Sequence, residues 1–299
     1  TIEAPIEKVR ALIVEFHNWK SWSPWSVCEP DHDVEVEGEA GKIGHQMSWD
    51  GKLIGSGINK IAEISETEIR YDLQFLKPYK SKADTKFSLE AKGAESTNVT
   101  WHMDSSMPVF MFWMIPMMKS WIEMDYDRGL AMLKSVAETG SVPATSTNKG
   151  IVDMDGFSFV GKKQTSHFDD MATDMTPIFT KLVQDLKSKN VWAEHWIALY
   201  PKVNMAKKEF TYICACSDEQ IKEGDMDGYE SGAIKGGRTL KILHKGSYKH
   251  LGNAWGMGMM YLRSEKIKEA GKPYEHYYNS PHDTPEEELL TAVCFPVKD

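Results

Sequence analysis

The second half of the chain repeats itself at a fixed interval. His195-Trp196-Ile197-Ala198-Leu199-Tyr200-Pro201 precedes an apolar, strand-like run over 210–216, and Glu275-His276-Tyr277-Tyr278-Asn279-Ser280-Pro281 precedes another over 289–297. Pro201 and Pro281 stand 80 positions apart, and so do Cys214 and Cys294. Each pair of strand runs follows a helix-like segment, 170–189 in the first copy and 251–270 in the second. Strand-like stretches at 157–163 and 239–244 come before them. A duplicated β-α-β-β unit implies pseudo-symmetry, and the seam between two copies is a natural place for a ligand cleft. One strand of that seam carries Glu275 among Tyr274, Tyr277 and Tyr278.

The first half has a different grammar. Pro5 suits a helix start, and Ile6, Val9, Leu12, Ile13 and Phe16 recur at helical spacing. Trp19-Lys20-Ser21-Trp22-Ser23-Pro24-Trp25 then breaks the pattern. From Val34 to Met103 the chain reads as strands, with runs at 42–49, 53–63, 68–75, 81–91 and 96–103 and turn signals such as Asp50-Gly51 and Lys92-Gly93 between them. A long helix is predicted over 116–138, with Met117, Trp121, Met124, Leu130 and Leu133 on its apolar stripe. The expected fold class is α+β: an N-terminal helix-grip domain, a curved antiparallel sheet around a long C-terminal helix, and a C-terminal duplicated β-α-β-β domain. At 299 residues the chain suits two domains. The polar, small-residue stretch 141–150 reads as the linker between domains at 1–140 and 151–299. The Gly- and Asp-rich stretch 218–237 reads as a mobile connection between the repeats.

Charge and side-chain chemistry exclude several functions. A net charge of −9 argues against direct nucleic-acid contact, which needs clustered Lys and Arg, and mildly favours cationic ligands. The 10 histidines form no His-Glu-x-x-His pattern and the 4 cysteines no Cys-x-x-Cys pair, so no metal and no cofactor are expected. There is no Gly-x-Ser-x-Gly elbow and no P-loop. Cys214 and Cys216 alternate along one strand and read as small packing groups, which fits a reducing, cytoplasmic setting. No apolar run is long enough to span a bilayer. The chain begins at Thr1 without Met, partway through a strand-like run, so a membrane partner is expected only through an N-terminal anchor missing from this sequence.

Two resemblances sharpen this. The run Ala4-Pro5-Ile6-Glu7-Lys8-Val9, the tryptophan motif at 19–25, the meander and the closing helix make the N-terminal half similar to the SRPBCC superfamily of START and polyketide-cyclase-like helix-grip domains. That resemblance implies a cavity between sheet and long helix that holds an apolar molecule. The C-terminal half resembles the gyrase-inhibitor-like family, the effector-binding domain of AraC-type and multidrug-responsive regulators. The residues that carry this are His244-Lys245-Gly246-Ser247-Tyr248, Leu251, Trp255, Tyr274-Glu275-His276-Tyr277, Asn279-Ser280-Pro281 and the closing 290–297. The family places a buried glutamate in an aromatic cleft between its repeats, and Glu275 matches it. Some stand-alone members resemble hydrolases of strained electrophilic rings that use this glutamate and a nearby tyrosine. Unlike the regulators, this sequence has no DNA-binding helix-turn-helix.

These readings give one leading function and two alternatives. The leading one is binding, as sensing or sequestration, of small hydrophobic or cationic molecules. The expected cleft is formed by Glu275, Tyr277, Tyr248, Trp255, Tyr274 and Trp196. A carboxylate among aromatic rings recognises a cation by charge and by ring faces, and when desolvated it can act as an acid or base. A second apolar cavity in the N-terminal domain would involve Trp22, Trp25, Met107 and Trp121; the tryptophans at 19–25 equally suit a structural lock between helix end and sheet. The first alternative adds slow hydrolysis of electrophiles by Glu275 with Tyr277. The second is a protein-interaction module, supported by the methionine-rich segment 107–118, whose Pro108 and Pro116 prevent one continuous helix.

Overall fold

A computed structural model describes residues 1–105, 109–218, 226 and 228–299. The chain divides into two compact units, residues 1–115 with 122–144, and residues 116–121 with 145–299.

The N-terminal unit opens with helix α1 (Ile6–Val14), which buries Val9, Ile13 and Val14. The last carbonyls of any helix lack intrahelical donors, and here the residues after α1 supply them. Asn18 Nδ2 donates to Ala11 O (3.1 Å), Trp22 Nε1 to Leu12 O (3.1 Å) and Trp19 Nε1 to Ile13 O (2.8 Å). The Tyr71 hydroxyl adds a second bond to Ile13 O at 2.9 Å. The tryptophan motif is thus a cap whose rings also fill the core. Strands β1 (Asp33–Glu37), β2 (Gln46–Gly51), β3 (Gly55–Ile64), β4 (Glu68–Lys77), β5 (Ser81–Ala91) and β6 (Thr97–Ser105) form an antiparallel meander in sequential order. Strand β1 falls at the start of the stretch read as strands but had no bounds of its own; its near-complete exposure leaves little apolar alternation to detect. After a 3-10 turn over Val109–Met114, helix α2 (Ile115–Thr139) packs Tyr126, Met132, Leu133, Val136 and Ala137 into the same core. Tyr126 stacks on Trp101 with ring centroids 3.9 Å apart.

Among the described residues from 144 onward, the C-terminal unit holds one eight-stranded sheet and two α-helices. Its strands are β7 (Ala144–Met154), β8 (Phe157–His167), β9 (His195–Asn204), β10 (Glu209–Ser217), β11 (Glu230–Ile234), β12 (Gly237–Gly246), β13 (Tyr274–Tyr277) and β14 (Leu290–Pro296). Helix α3 (Met171–Ser188) lies between β8 and β9 in the chain, and α4 (Gly252–Ser264) between β12 and β13. The spatial order is β11-β8-β10-β9-β13-β14-β12-β7. The order reads as a palindrome of equivalent strands about the central pair β9 and β13, which run antiparallel with Trp196 opposite Tyr277 and Ala198 opposite Glu275.

The outermost strands are exchanged. Strand β7 leads into β8 but pairs with β12, while β11 leads into β12 but pairs with β8. Only Asp155 and Gly156 separate β7 from β8, so the sheet curls until its two ends approach. Where the two connections meet, a Cβ on Gly156 would lie 2.5 Å from the Gly236 nitrogen, and one on Gly236 2.7 Å from the Gly156 nitrogen. These glycines are 80 positions apart, like the other repeat equivalents.

Two sequence readings are corrected here. Residues 144–150, read as linker, form the first part of β7; an edge strand with one half-buried face tolerates the polar residues that suggested a linker. Residues 230–234, read as mobile connection, form the edge strand β11, while 219–225 and 227 lie outside the described residues.

Candidate functional site

Strand alternation decides what faces what. On the helix-covered side of the C-terminal sheet lie Trp196, Ala198 and Tyr200 of β9, Tyr212, Cys214 and Cys216 of β10, and Tyr277 of β13. Glu275, two residues before Tyr277, shares that side, and its neighbours across the ladder are the small Ala198 and Val293. Helix α4 delivers Trp255. It lies tight on β14 because position 258 is glycine, where a Cβ would fall 2.2 Å from the Phe295 ring; Trp255 meets Phe295 edge-on at 5.4 Å.

The Glu275 carboxyl, 4 % exposed, is held by two side-chain donors. Trp255 Nε1 donates to Oε1 at 2.6 Å and the Tyr277 hydroxyl donates to Oε2 in a short contact, while the buried Tyr200 hydroxyl faces the same carboxyl. Burial pushes the Glu275 pKa above the ordinary carboxylate range, and Tyr277, Trp255 and Tyr200 oppose that shift without cancelling it. Burial, reinforced by the neighbouring carboxyl charge, likewise raises the Tyr277 and Tyr200 hydroxyls well above the ordinary phenol value. A second ring of aromatics surrounds this centre. Tyr200 meets Trp255 edge-on at 5.0 Å, Phe179 meets Tyr277 at 5.7 Å and Trp196 at 6.2 Å, and Tyr248 meets Tyr277 at 5.8 Å. Tyr248 is exposed, while Trp196, Trp255, Phe179 and Tyr277 are half-buried, so rings rather than polar groups separate the carboxyl from solvent. Two surface concavities lie elsewhere, about 810 Å³ along α3 and about 510 Å³ beside Asp153 and Lys241; neither borders Glu275.

Of the residues expected in the cleft, Glu275, Tyr277, Trp255, Tyr248 and Trp196 come together, and Tyr274 does not. One position from Glu275 on a strand, Tyr274 points to the opposite face, packs among Ile197, Ile213 and Cys294, and directs its hydroxyl to the Met154 sulfur. Tyr200 and Phe179 are additions. Tyr200 was legible as the i+4 partner of Trp196 on a strand, whereas Phe179 looked like any apolar helix residue. On the opposite face His276 is also buried. Its Nε2 lies 3.1 Å from His195 Nδ1, and burial, then the His195 and Lys241 charges, push its pKa down to about 4.

The residues expected to line the second apolar cavity part company. Trp22 is fully buried in the aromatic core, so the structural lock describes it and a cavity mouth does not. Trp25 is half-buried, with its ring edge-on to Trp101 at 5.8 Å and to Tyr126 at 6.3 Å. Trp121 is exposed on α2, and Met107 lies outside the described residues. Among the described residues no group of three or more His, Cys, Asp or Glu side chains is placed to hold a metal ion, and no helix is long and apolar enough to cross a membrane.

Comparison with known proteins agrees with this architecture. The family model of the GyrI-like small molecule binding domain matches residues 150–298, and that of the polyketide cyclase / dehydrase and lipid transport family matches residues 1–138. Among solved structures, EcmrR in its DNA complex is 15 % identical, covering 64 % of this chain and 68 % of its own at a TM-score of 0.41. An integron cassette protein from Vibrio cholerae is 14 % identical, covering 51 % of this chain and 99 % of its own at a TM-score of 0.36. SAV2435 bound to tetraphenylphosphonium is 16 % identical, covering 51 % of this chain and 94 % of its own at a TM-score of 0.40. No curated protein matches significantly. The chain therefore joins a domain of the polyketide cyclase and lipid transport family, in its N-terminal half, to a GyrI-like small-molecule-binding domain in its C-terminal half.

Proposed function

We propose that the C-terminal domain binds small hydrophobic cations, with Glu275 as the central anionic contact and the rings of Trp255, Tyr200, Tyr277, Tyr248 and Trp196 as its walls. The observation that carries this reading is the carboxyl of Glu275, buried among aromatic rings and held by two side-chain donors, Trp255 and Tyr277. A flat cation gains from the carboxylate charge and from ring faces together, and both attractions strengthen as water is excluded. Entry requires Tyr277 or Trp255 to swing away from the carboxyl, so the ligand replaces hydrogen bonds already present. Affinity then depends on charge complementarity as well as apolar area. The N-terminal interior is the second apolar site in this reading. It is supported by the buried amide oxygen of Asn59, which has no hydrogen-bond partner among the described residues and lies beside Met47 and Leu73 on the neighbouring strands.

Tryptophan-fluorescence titration with an aromatic cation and its neutral isostere tests the primary site. The wild type is expected to saturate with the cation preferred, and Glu275→Gln to lose that preference. Binding indifferent to Glu275→Gln sinks the reading. A second reading, slow hydrolysis of electrophiles, draws on the raised Glu275 pKa and its contact with Tyr277, which suit the carboxyl to acid–base work. It requires product formation that Glu275→Gln abolishes while ligand still binds.

A further inference from the structure

The most exposed aromatic side chains of the N-terminal unit lie in the β4–β5 turn and in the 3-10 turn that follows β6. The pairings Gly51 with Gly55, Phe75 with Ser81 and Ala83 with Ser105 place the β2–β3 turn, the β4–β5 turn and the end of β6 at the same end of the sheet. The 3-10 turn over Val109–Met114 and the start of α2 follow β6. Tyr79 in the β4–β5 turn is 83 % exposed, Phe112 67 % and Trp113 66 %; Leu76 and Ile115 are exposed beside them. Large apolar groups displayed together in water mark a contact surface.

Charge selects the partner. The hairpin segment 76–82 carries Lys77, Lys80 and Lys82 and no acid, in a chain whose net charge is −9. All three lysines are exposed, and among the described residues only Lys77 has an acidic partner, Asp50 at 2.8 Å. Trp and Tyr, with an apolar ring and a polar atom, settle at the boundary between hydrocarbon and headgroups. Lysine stems reach past such rings to anionic headgroups.

We propose that this end of the N-terminal domain, with Tyr79, Phe112 and Trp113 as apolar anchors and Lys77, Lys80 and Lys82 as the basic rim, docks peripherally on an anionic lipid bilayer. The contact is reversible and weakens with salt, because screening acts on exposed charges.

Sedimentation of the full chain with vesicles tests this, using phosphatidylcholine alone and phosphatidylcholine mixed with phosphatidylserine. The mixed vesicles should bind the wild type and the neutral ones bind it weakly. Phe112→Ser with Trp113→Ser should weaken binding by about tenfold or more through lost apolar area. Lys80→Glu with Lys82→Glu should remove the preference for phosphatidylserine, again by roughly tenfold or more. Tyr79→Ser, in a separate segment, provides an independent anchor variant should the double serine variant fail to fold. Absence of binding to mixed vesicles overturns the proposal, as does binding unchanged in the anchor variants. Self-association abolished by the same changes, without vesicle binding, assigns the surface to a second copy of the chain and overturns it as well.

Discussion

At the scale of single residues, two buried ionisable groups on opposite faces of β13 set opposite pH dependences. His276 has a folded pKa of about 4 against an ordinary value of 6.5. As pH falls below 6.5 the unfolded chain takes up this proton and the folded one does not. The contribution of His276 is therefore complete above 6.5 and is lost as pH falls toward 4, up to about 3 kcal/mol. The sign for Glu275 is reversed. Its folded pKa is raised, so above 4.5 the unfolded chain releases a proton that the folded chain retains, and stability falls as pH rises until the folded carboxyl ionises. Urea unfolding across this range should show a steep acid loss in the wild type and a shallower one in His276→Gln; equal slopes would exclude His276 as the source. Glu275→Leu should cost about 1–3 kcal/mol, because Trp255 and Tyr277 lose a buried acceptor. A stability midpoint unchanged in Glu275→Leu would mean that those donors find other acceptors. The i, i+2 relation of Glu275 and Tyr277 made their shared face legible in the sequence. The same alternation excluded Tyr274, which proximity in sequence had wrongly recruited.

At the scale of elements, the tryptophan motif was recognisable, while its division of labour was not. Trp19 and Trp22 terminate α1 through indole N–H groups that reach Ile13 and Leu12 carbonyls, and no spacing rule predicts a cap supplied by side chains six and ten residues downstream. Trp22→Phe retains most of the ring packing and removes the donor, so it should cost about 1 kcal/mol for the bond. Trp22→Ala also opens a cavity in a fully buried site and should cost about 3–5 kcal/mol. Similar losses in the two variants, measured by denaturant unfolding, would show that ring volume contributes little. Element boundaries failed where exposure hid the pattern. Strands β1, β7 and β11 are edge strands, and an edge strand needs only one partner and half a buried face, which leaves a weak periodic signal. The Gly156 and Gly236 crossing is likewise silent in sequence, since each glycine alone reads as a turn. Gly156→Ala and Gly236→Ala should each cost about 1–3 kcal/mol through backbone clash. The double variant should cost less than the sum, because one displacement of the crossing accommodates both methyl groups. Strict additivity in urea unfolding would show that the two contacts are independent.

At the scale of the molecule, the repeat was visible as an 80-residue offset, but the offset suggests two units laid side by side, and the strand exchange makes them interdependent. Residues 145–218 include nearly all of β7 and the whole of β8, α3, β9 and β10. In isolation β7 has no β12, β8 has no β11 and β9 has no β13. Three strands would then expose unpaired backbone, and the Glu275 centre would be missing altogether. Because conformational entropy opposes ordering each strand, a half-unit lacking these partners should lie below the threshold for folding. The expected outcome is that fragment 145–218 shows no cooperative thermal transition by circular dichroism. An equimolar mixture with fragment 226–299 should regain one, because each edge strand then finds the repeat it completes. A sharp transition in the isolated fragment would mean that the first repeat is self-sufficient and that exchange is a connection without energetic weight. The interdependence also bears on the site. Tyr200, Phe179 and Trp196 come from one repeat, and Glu275, Tyr277 and Trp255 from the other. Aromatic wall and carboxyl therefore form together or not at all, and ligand binding should stabilise the recombined fragments in proportion to its affinity for the intact chain.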